Sequence, residues 1–276
     1  MVRKVTKLTS GYFKQSFEVR SDLNQTKKAK SLITKLNRSF GKDDTGRISS
    51  RHKSGGAKRL YRIISELMPE QGVAKVLDLQ YDPNRSANIA LVEFEDGSKK
   101  YIVAPNAVKA GDKIQVKDSG NMKPGDRAKL INIPVGSQVH NIEIMPGSRG
   151  VIARAAGTSA TLMATEEGYA LLKMPSGELR RINGECFASL GNVSNTEHSI
   201  IRIGMAGRTR HMGIRPKVRG KAMSPNSHPH GGGEAVNPIG LKYPKTPWGK
   251  VAIGKKTRKN KLSDKLIVKR RAKKRR

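Results

Sequence analysis

The sequence predicts a mainly β protein with two small modules at its centre and a long basic arm on each side. Lys and Arg total 55 against 22 Asp and Glu in 276 residues, a formal net charge of +33. Residues 1–70 have a net charge of +11, residues 71–200 of +1 and residues 201–276 of +21. Strongly self-repelling segments fold when an anion neutralises them, so we expect only the centre to form an ordinary globular core.

The N-terminal arm, residues 1–71, contains one predicted helix. Within residues 25–37, Leu32, Ile33 and Leu36 share one face and lysines lie elsewhere, as in a short amphipathic helix. Glycines at positions 11, 41, 46, 55 and 56 surround this segment and interrupt regular structure. We therefore expect the rest of the arm to be extended.

The centre contains short runs rich in β-branched and aliphatic residues, the pattern of strands in small barrels or sandwiches. Turn signals such as Asp82-Pro83-Asn84 and Asp96-Gly97 separate these runs. The predicted strands are residues 73–79, 89–95, 100–104, 138–144, 160–164, 169–174 and 178–182. Without a long helical period between them, they predict antiparallel β modules.

Two of the predicted hairpins resemble each other. Residues 90–102 and 170–182 both consist of a strand, a turn ending in glycine and a second strand. An internal repeat accounts for this, and so do two unrelated hairpins with common turn chemistry. We predict a first module at 72–131, a second at 132–200 and an extended arm at 201–276.

Residues 227–234, Ser-His-Pro-His-Gly-Gly-Gly-Glu, are the only stretch that resembles an active site. The two histidines could act as acid and base, or bind a metal with Glu234 or His211 as a further ligand. Alternatively, the glycines let the backbone approach RNA closely while the histidines contact it. His228 and His230 are two residues apart around a proline and lack the helical spacing of a zinc pair, which favours the RNA interpretation.

Residues 51–62 combine arginine, lysine and glycine with one tyrosine, a composition suited to phosphate binding. A phosphate-binding NTPase loop would need Gly-Lys-Ser or Gly-Lys-Thr at the start of a helix, and this segment has neither. The Gly-Lys-Lys-Thr run at residues 254–257 also lacks the upstream glycine spacing. The pattern therefore indicates contact with a polyanion and not a nucleotide site.

Cys186 and Trp248 are each the single residue of their type. One cysteine excludes a disulfide scaffold, and we expect Cys186 to be a small buried residue. Trp248 either stacks on a base or fills a local hydrophobic contact, and both interpretations remain open.

The chain lacks a run of the roughly 18 apolar residues that cross a membrane and an apolar signal at its N-terminus. Together with the single cysteine, these features predict a protein of a reducing compartment. The net charge of +33 predicts a polyanionic partner, and we expect no self-oligomer.

At specific motifs the chain resembles the bacterial-type ribosomal protein L-two family of the large ribosomal subunit. The central motif is Tyr-Asp-Pro-Asn-Arg-Ser-Ala-Asn-Ile-Ala-Leu-Val at residues 81–92. The other matching motifs are residues 132–136, 139–143, 154–157, 215–220, 228–233 and 255–258. The resemblance extends from about residue 46 to the C-terminus, whereas the first forty residues match only loosely.

The resemblance implies an OB-fold barrel at 72–131, an SH3-like barrel at 132–200 and basic arms that thread into large-subunit rRNA. It implies partners among the ribosomal proteins and the small subunit at the intersubunit face, a cytoplasmic location and support of the peptidyl-transferase region. No cofactor or metal is expected, and His228 is the only candidate for a catalytic role. The expected rRNA-binding residues are Arg47, Arg51, His52, Lys53, Lys58, Arg59, Arg62, Arg85, Arg154, Arg208, Arg210, Arg215, Lys217, Arg219, His228, His230, Gly231, Gly232, Gly233, Trp248, Lys255, Lys256 and Arg258.

The sequence departs from the family pattern in four places. Ser227 stands where the family usually has Asp, and His211 where it usually has Trp. Ser54 and Ala57 alter the usual Arg-His-x-Gly-Gly-Gly-His run, and the link at residues 68–72 is short. The leading hypothesis is a structural rRNA-binding protein without catalysis of its own. The rivals are an RNA-modifying or transferase enzyme using His228, and a free RNA chaperone or nucleoid-type basic protein.

Overall fold

The computed structural model describes residues 2–4, 15–21, 23–24, 29–66, 72–117, 120–234, 238–254, 256, 259 and 261–271. Most of the predicted short link at 68–72, the two site residues Lys255 and Arg258, and the basic end at 272–276 lie outside the described residues.

The described chain is mainly β with antiparallel sheets, as predicted. The strands are β1 Val2–Lys4, β2 Ser16–Glu18, β3 Ile33–Lys35, β4 Leu60–Arg62, β5 Val73–Gln80, β6 Ile89–Phe94, β7 Lys99–Val103, β8 Lys113–Gln115, β9 Arg127–Lys129, β10 Gln138–His140, β11 Ala160–Glu166, β12 Tyr169–Lys173, β13 Leu179–Asn183, β14 Phe187–Leu190 and β15 Ile267–Lys269. One α-helix, α1, is described, at Ala206–His211. Short 3-10 turns are Lys30–Leu32, Leu130–Asn132, Thr196–Ile200, Gly220–Ala222 and Leu262–Leu266.

The first central sheet has four strands in the order β7-β6-β5-β8. Side chains alternate along β5, which buries Ala74 and Val76 and exposes Lys75. A register shift between Val76 and Asp78 bends this strand against β6. The core of the sheet comprises Ala74, Val76, Ala90, Val92, Phe94, Ile102, Ala104, Val108 and Ile114.

The second central sheet has seven strands in the order β15-β13-β12-β11-β10-β14-β9. Its core comprises Ala128, Leu130, Ile133, Val139, Ile142, Ala160, Leu162, Ala170, Leu172, Met174, Ile182, Cys186 and Ala188. Strand β9 pairs with β14, so it belongs to this sheet although it precedes the predicted module boundary at 131/132. Both sheets are consistent with the OB-fold and SH3-like barrels that the resemblance implies, although the described strands do not close either one.

The two similar hairpins have the same register. Ala90 pairs with Ile102 across β6 and β7, and Ala170 pairs with Ile182 across β12 and β13. The turns match as well, since Gly97 donates to the carbonyl of Phe94 at 3.0 Å and Gly177 to that of Met174 at 2.8 Å. Both glycines have a positive φ, 76° and 82°. The likeness in sequence is therefore a likeness in backbone geometry.

The predicted helix at residues 25–37 is wrong in its described part. Lys30–Leu32 is a 3-10 turn, and Ile33–Lys35 is strand β3, which pairs with β4. The β-branched residues Ile33 and Thr34 favour a strand, and β4 supplies the hydrogen-bonding edge that a local pattern does not reveal. Leu32 packs against the buried cluster of Ile89, Leu91 and Tyr101.

Contacts between residues divide the chain into two compact units. The first comprises Met1–Asn37, Lys58–Ala206 and Ser263–Arg276, and the second comprises Arg38–Ala57 and Gly207–Leu262. We call the second the basic unit. Parts of both predicted arms thus form a compact unit that the linear division of the chain did not anticipate. Within the described ranges, no helix is long and apolar enough to cross a membrane.

Candidate nucleic-acid interface

The basic unit joins two segments that are about 150 residues apart in the sequence. Lys53 forms an antiparallel bridge with Ile214. Ser54 donates its backbone N–H to the carbonyl of Gly213 at 2.8 Å, and Ala57 donates to His211 at 2.9 Å. Arg215 donates to His52 at 3.0 Å. Residues 52–57 and 211–215 therefore form one short ribbon, which brings the predicted phosphate-binding run at 51–62 next to the expected rRNA-binding residue Arg215.

Two glycines permit this pairing. Gly56 has a φ of +60°, and a Cβ there would lie 2.5 Å from the carbonyl oxygen of His211. Gly213 has a φ of +88°, and its Cβ would lie 2.8 Å from the carbonyl oxygen of Ser54. Both positions need a residue that adopts the left-handed region and carries no side chain. The glycines of this region thus serve the approach of one protein segment to the other.

The ribbon and its surroundings are strongly cationic. The basic unit contains 19 Lys and Arg against three Asp and Glu, a net charge of +16. The side chains of Arg47, Arg51, Lys53, Arg210, Arg215, Lys217 and Arg219 are exposed, while His52 and Arg208 are half-buried. Exposed guanidinium and ammonium groups at this density are suited to phosphate contacts along a nucleic-acid backbone.

One of the few carboxylates in this unit serves the local turn. Asp43 accepts hydrogen bonds from the Thr45 hydroxyl at 2.8 Å and from the backbone N–H of Arg47 at 2.8 Å. The hydrogen bond from Thr45 is the main reason that the pKa of Asp43 lies below its usual range. The carboxylate therefore stays ionised while it orders the loop before Arg47.

The Gly-His loop is hydrogen-bonded to its own chain. His228 is 8% exposed, and its Nδ1 accepts the backbone N–H of His230 at 3.0 Å. The Nε2 of His230 accepts the backbone N–H of Lys245 at 2.9 Å. A nitrogen that accepts a hydrogen bond carries no proton, so each ring serves as an anchor for the backbone. The two ring centroids are 4.8 Å apart.

The glycines around this loop also face protein atoms. A Cβ on Gly220 would overlap the His228 ring, and a Cβ on Gly231 would overlap the carbonyl of Ser224. A Cβ on Gly232 would lie 2.9 Å from Pro225 Cγ. The expected close approach to RNA at Gly231 and Gly232 is thus occupied by the loop itself, whereas Gly233 is exposed.

The loop offers little support for acid–base or metal chemistry. Ser227, at the position before His228, has its hydroxyl oxygen 3.2 Å from that of Ser224, and Glu234 is exposed. Among the residues that the structure describes, no group of three or more His, Cys, Asp or Glu could hold a metal ion.

In the first unit, Asp82 organises several of the predicted RNA-binding arginines. Its carboxylate is fully buried, 2.6 Å from Arg85 Nε and 3.5 Å from an amino nitrogen of Arg62. Arg62 is itself buried, and Arg59 donates to the carbonyl of Pro83 at 2.8 Å. The Tyr-Asp-Pro-Asn-Arg motif therefore forms an internal ion-pair cluster, and Arg62 and Arg85 are committed to it. Lys58 nearby is exposed.

Arg154 belongs to a second internal cluster. It donates to the carbonyl of Gly150 at 2.7 Å and lies 3.8 Å from Glu66, and burial lowers its pKa. The centre of this cluster is Arg127, 1% exposed and 2.6 Å from Glu143. Desolvation raises the pKa of Glu66 despite the nearby charge of Arg127. Sequence reasoning missed Arg127, because a lone arginine in a near-neutral segment gives no signal of burial.

Trp248 and Cys186 have opposite environments. Cys186 is fully buried in the second sheet, as predicted, and burial raises its pKa to about 11. Trp248 is 71% exposed, so it does not fill a hydrophobic contact. The guanidinium carbon of Arg51 lies 5.3 Å from the centroid of its ring. Of the three expected rRNA-binding residues that follow Trp248 in the sequence, Lys256 is described and exposed, whereas Lys255 and Arg258 lie outside the described residues.

Two departures from the family pattern are adjacent in space. Ala57 and His211 are the hydrogen-bonded partners at one end of the ribbon. The ribbon therefore forms with a small side chain and an imidazole where the resembled pattern has histidine and tryptophan.

Two family models match the chain. The model described as Ribosomal Proteins L2, RNA binding N-terminal domain, matches residues 29–116. The model described as Ribosomal Proteins L2, C-terminal domain, matches residues 123–249. Together the matches span the first central sheet, the second except for β15, and most of the basic unit.

Proposed function

Because the chain belongs to the ribosomal protein L2 family, and is therefore a structural, RNA-binding protein of the large ribosomal subunit, we propose that the basic unit is its main contact with rRNA. The observation that supports this is the concentration of exposed cations in this unit: Lys53 and Arg215 lie on the ribbon of residues 52–57 and 211–215, and Arg47, Arg51, Arg210, Lys217 and Arg219 lie in the segments that continue from it. A charge of +16 in 76 residues gives the unit a strong long-range attraction to phosphate.

The resemblance to the family supports finer roles. The chain supports association of the two subunits and the architecture of the peptidyl-transferase region, and its partners are rRNA, neighbouring ribosomal proteins and the small subunit. Its location is the cytoplasm. The net charge of +33 supports a place within rRNA, because the phosphates of surrounding rRNA would neutralise it.

We propose further that His228 acts by position and not by proton transfer. A general base needs a free lone pair directed at its substrate. Nδ1 of His228 instead accepts the His230 N–H, and the ring packs against the backbone of Gly220. Position 227 is a serine, so it provides no carboxylate that could orient the His228 ring as in an Asp-His catalytic pair.

Reconstitution of large subunits with variant chains tests this role. His228→Gln keeps a side-chain acceptor for the His230 N–H, and even the loss of this hydrogen bond would cost only about 1 kcal/mol of stability, so we expect near-normal incorporation. If His228 transfers no proton, the peptidyl-transfer rate should stay within about threefold of wild type, far from the roughly 10²- to 10⁴-fold loss of a missing general acid or base. Incorporation and peptidyl transfer are scored separately. Normal incorporation with a peptidyl-transfer rate reduced on the order of a thousandfold would support catalysis by His228 instead. A loss of that size is expected when a general acid or base is removed.

Gly231→Ala and Gly207→Ala form a matched pair for the same assay. A Cβ at 231 overlaps the Ser224 carbonyl, whereas a Cβ at 207 meets nothing within 4 Å. We expect Gly231→Ala to reduce incorporation and Gly207→Ala to leave it unchanged. Equal incorporation of both variants would show that the folded loop is not needed in the subunit.

A further inference from the structure

We propose that Trp248 and Arg51 form a stacking site for one unpaired base of RNA. The proposal rests on the proposed role of the basic unit and adds a ligand class to it: a nucleobase face, in addition to phosphate.

Trp248 stands at the tip of a tight, hydrogen-bonded turn. Lys245 forms an antiparallel bridge with Val251, and Ala252 donates to the carbonyl of Pro244 at 2.8 Å. Within the turn, Thr246 donates to Lys250 at 2.7 Å and Gly249 donates to Thr246 at 2.9 Å. Three backbone hydrogen bonds thus hold the turn, so the indole is presented with little backbone freedom left to lose on binding.

The exposure of the indole is unfavourable without a ligand. At 71%, Trp248 equals Ile48 as the most exposed large hydrophobic residue in the described chain. Indole carries the largest apolar surface of any side chain, and burying it against a flat partner is strongly favourable. A rigid turn that displays this surface is therefore suited to a flat, apolar-faced ligand.

The neighbouring charges select an anionic ligand. The Arg51 guanidinium lies 5.3 Å from the ring centroid, and Lys245 and Lys250 flank the turn. The unit as a whole carries a net charge of +16. A nucleotide in single-stranded RNA offers both a π face for the indole and a phosphate for the cations. Paired bases in a duplex keep their faces stacked on each other, so the site favours an unpaired base.

Tyr169 provides a matched control in the first unit. It is 42% exposed, and the Arg181 guanidinium lies 4.7 Å from its ring centroid. However, Arg181 also lies 3.7 Å from Glu167, and the segment 71–200 has a net charge of only +1. This pair has similar geometry without the surplus charge, so we expect it not to bind a nucleotide.

The single tryptophan makes the test direct, because all indole emission of the full-length protein reports on this site. The probes are a short single-stranded oligoadenylate, a blunt RNA duplex of the same length, inorganic polyphosphate and polyglutamate. We expect oligoadenylate to quench the emission strongly and the other three to quench it weakly. Equal quenching by polyglutamate would overturn the proposal in favour of an acidic protein partner, and equal quenching by polyphosphate would show that only charge is sensed.

Variants separate stacking from charge. Because Trp248→Leu and Trp248→Phe lack the single indole, the binding of every variant and of the wild type is measured by filter binding of labelled oligoadenylate at several salt concentrations. Trp248→Leu should weaken oligoadenylate binding about tenfold, the effect of losing one stacked base, and leave the salt dependence of binding unchanged. Trp248→Phe should restore most of the affinity, and Tyr169→Leu should bind like wild type. Wild-type affinity of Trp248→Leu for oligoadenylate would overturn the stacking site while the basic unit still binds RNA. Failure of the wild-type protein to bind any RNA would overturn the proposed role of the basic unit as well.

Discussion

The two units of the chain are stabilised by different interactions. Every large hydrophobic residue described as buried lies between Ala74 and Val193, within the first unit. In the described part of the basic unit, the buried residues are Gly213 and His228. The first unit gains its stability from apolar burial, whereas the second depends on backbone hydrogen bonds, glycine contacts and histidine anchors.

Their charges differ in the same sense. The basic unit carries +16 over 76 residues, and the remaining 200 residues carry +17. A unit with little apolar core and high self-repulsion has a small free energy of unfolding on its own. Phosphate groups remove the repulsion, so we expect RNA to complete the stability of the basic unit and to matter little for the central sheets.

The largest expected effect concerns charge. Changing Arg47, Lys53, Arg210, Arg215, Lys217 and Arg219 to Gln removes six exposed cations of the basic unit. If each neutralises one phosphate, the slope of log K against log salt should flatten by about four to five units. Filter binding of rRNA at several salt concentrations measures the slope.

The control removes six exposed lysines of the central segment. We expect Gln at positions 75, 99, 109, 113, 123 and 173 to change the slope by less than one unit, because we place the phosphate contacts in the other unit. Equal flattening by both sets would mean that the chain binds RNA through its overall charge, and the comparison between the units would fail.

The next effect concerns the apolar core. Leu162 is fully buried in the second sheet, and Leu162→Ala should lower the free energy of unfolding by about 2–5 kcal/mol. Its neighbour Met163 is 46% exposed, and Met163→Ala should change it by less than about 0.5 kcal/mol. Urea denaturation followed by circular dichroism measures both. Similar values for the two variants would contradict the burial that distinguishes these positions.

A smaller effect sharpens the comparison through pH. Burial lowers the pKa of His140 to about 4, and its Nδ1 lies 3.0 Å from the carbonyl oxygen of Gly191. The His140 imidazole therefore binds a proton more readily in the unfolded chain than in the folded one. The free energy of unfolding should fall as pH falls from 6.5 to about 4, by about 3 kcal/mol in total.

Glu66 acts in the opposite direction, because its raised pKa stabilises the folded chain at low pH and this contribution is lost as pH rises through the folded pKa. Urea denaturation at pH 7 and pH 5 tests the balance. His140→Gln should flatten the dependence; a variant with the wild-type pH dependence would assign it to another group.

Local pattern predicted the central strands well. The runs that became β5, β6, β7, β12 and β13 combine β-branched residues, alternation and turn signals, all of which act within a few residues. The same reasoning failed at residues 25–37, where the pairing of β3 with β4 outweighed an amphipathic pattern. It also missed β9 and β15, because three-residue edge strands are defined by their partners.

The sequence by itself determined the class of partner and the residue types that meet it. Net charge and glycine content add up along a chain whatever its fold, so a polyanion followed from composition alone. Trp248 was open between two roles; its exposure argues against a local hydrophobic contact, and base stacking stays a prediction.

Only the tertiary structure decided which candidates face outward and which hold the protein together. Arg62 and Arg85 surround buried Asp82, and His228 packs on Gly220, although all three resemble RNA ligands in the sequence. The pairing of residues 52–57 with 211–215 joins atoms that no local pattern relates. The physical reason is that a cation binds the nearest well-placed acceptor, and its distance from that acceptor depends on folding the whole chain.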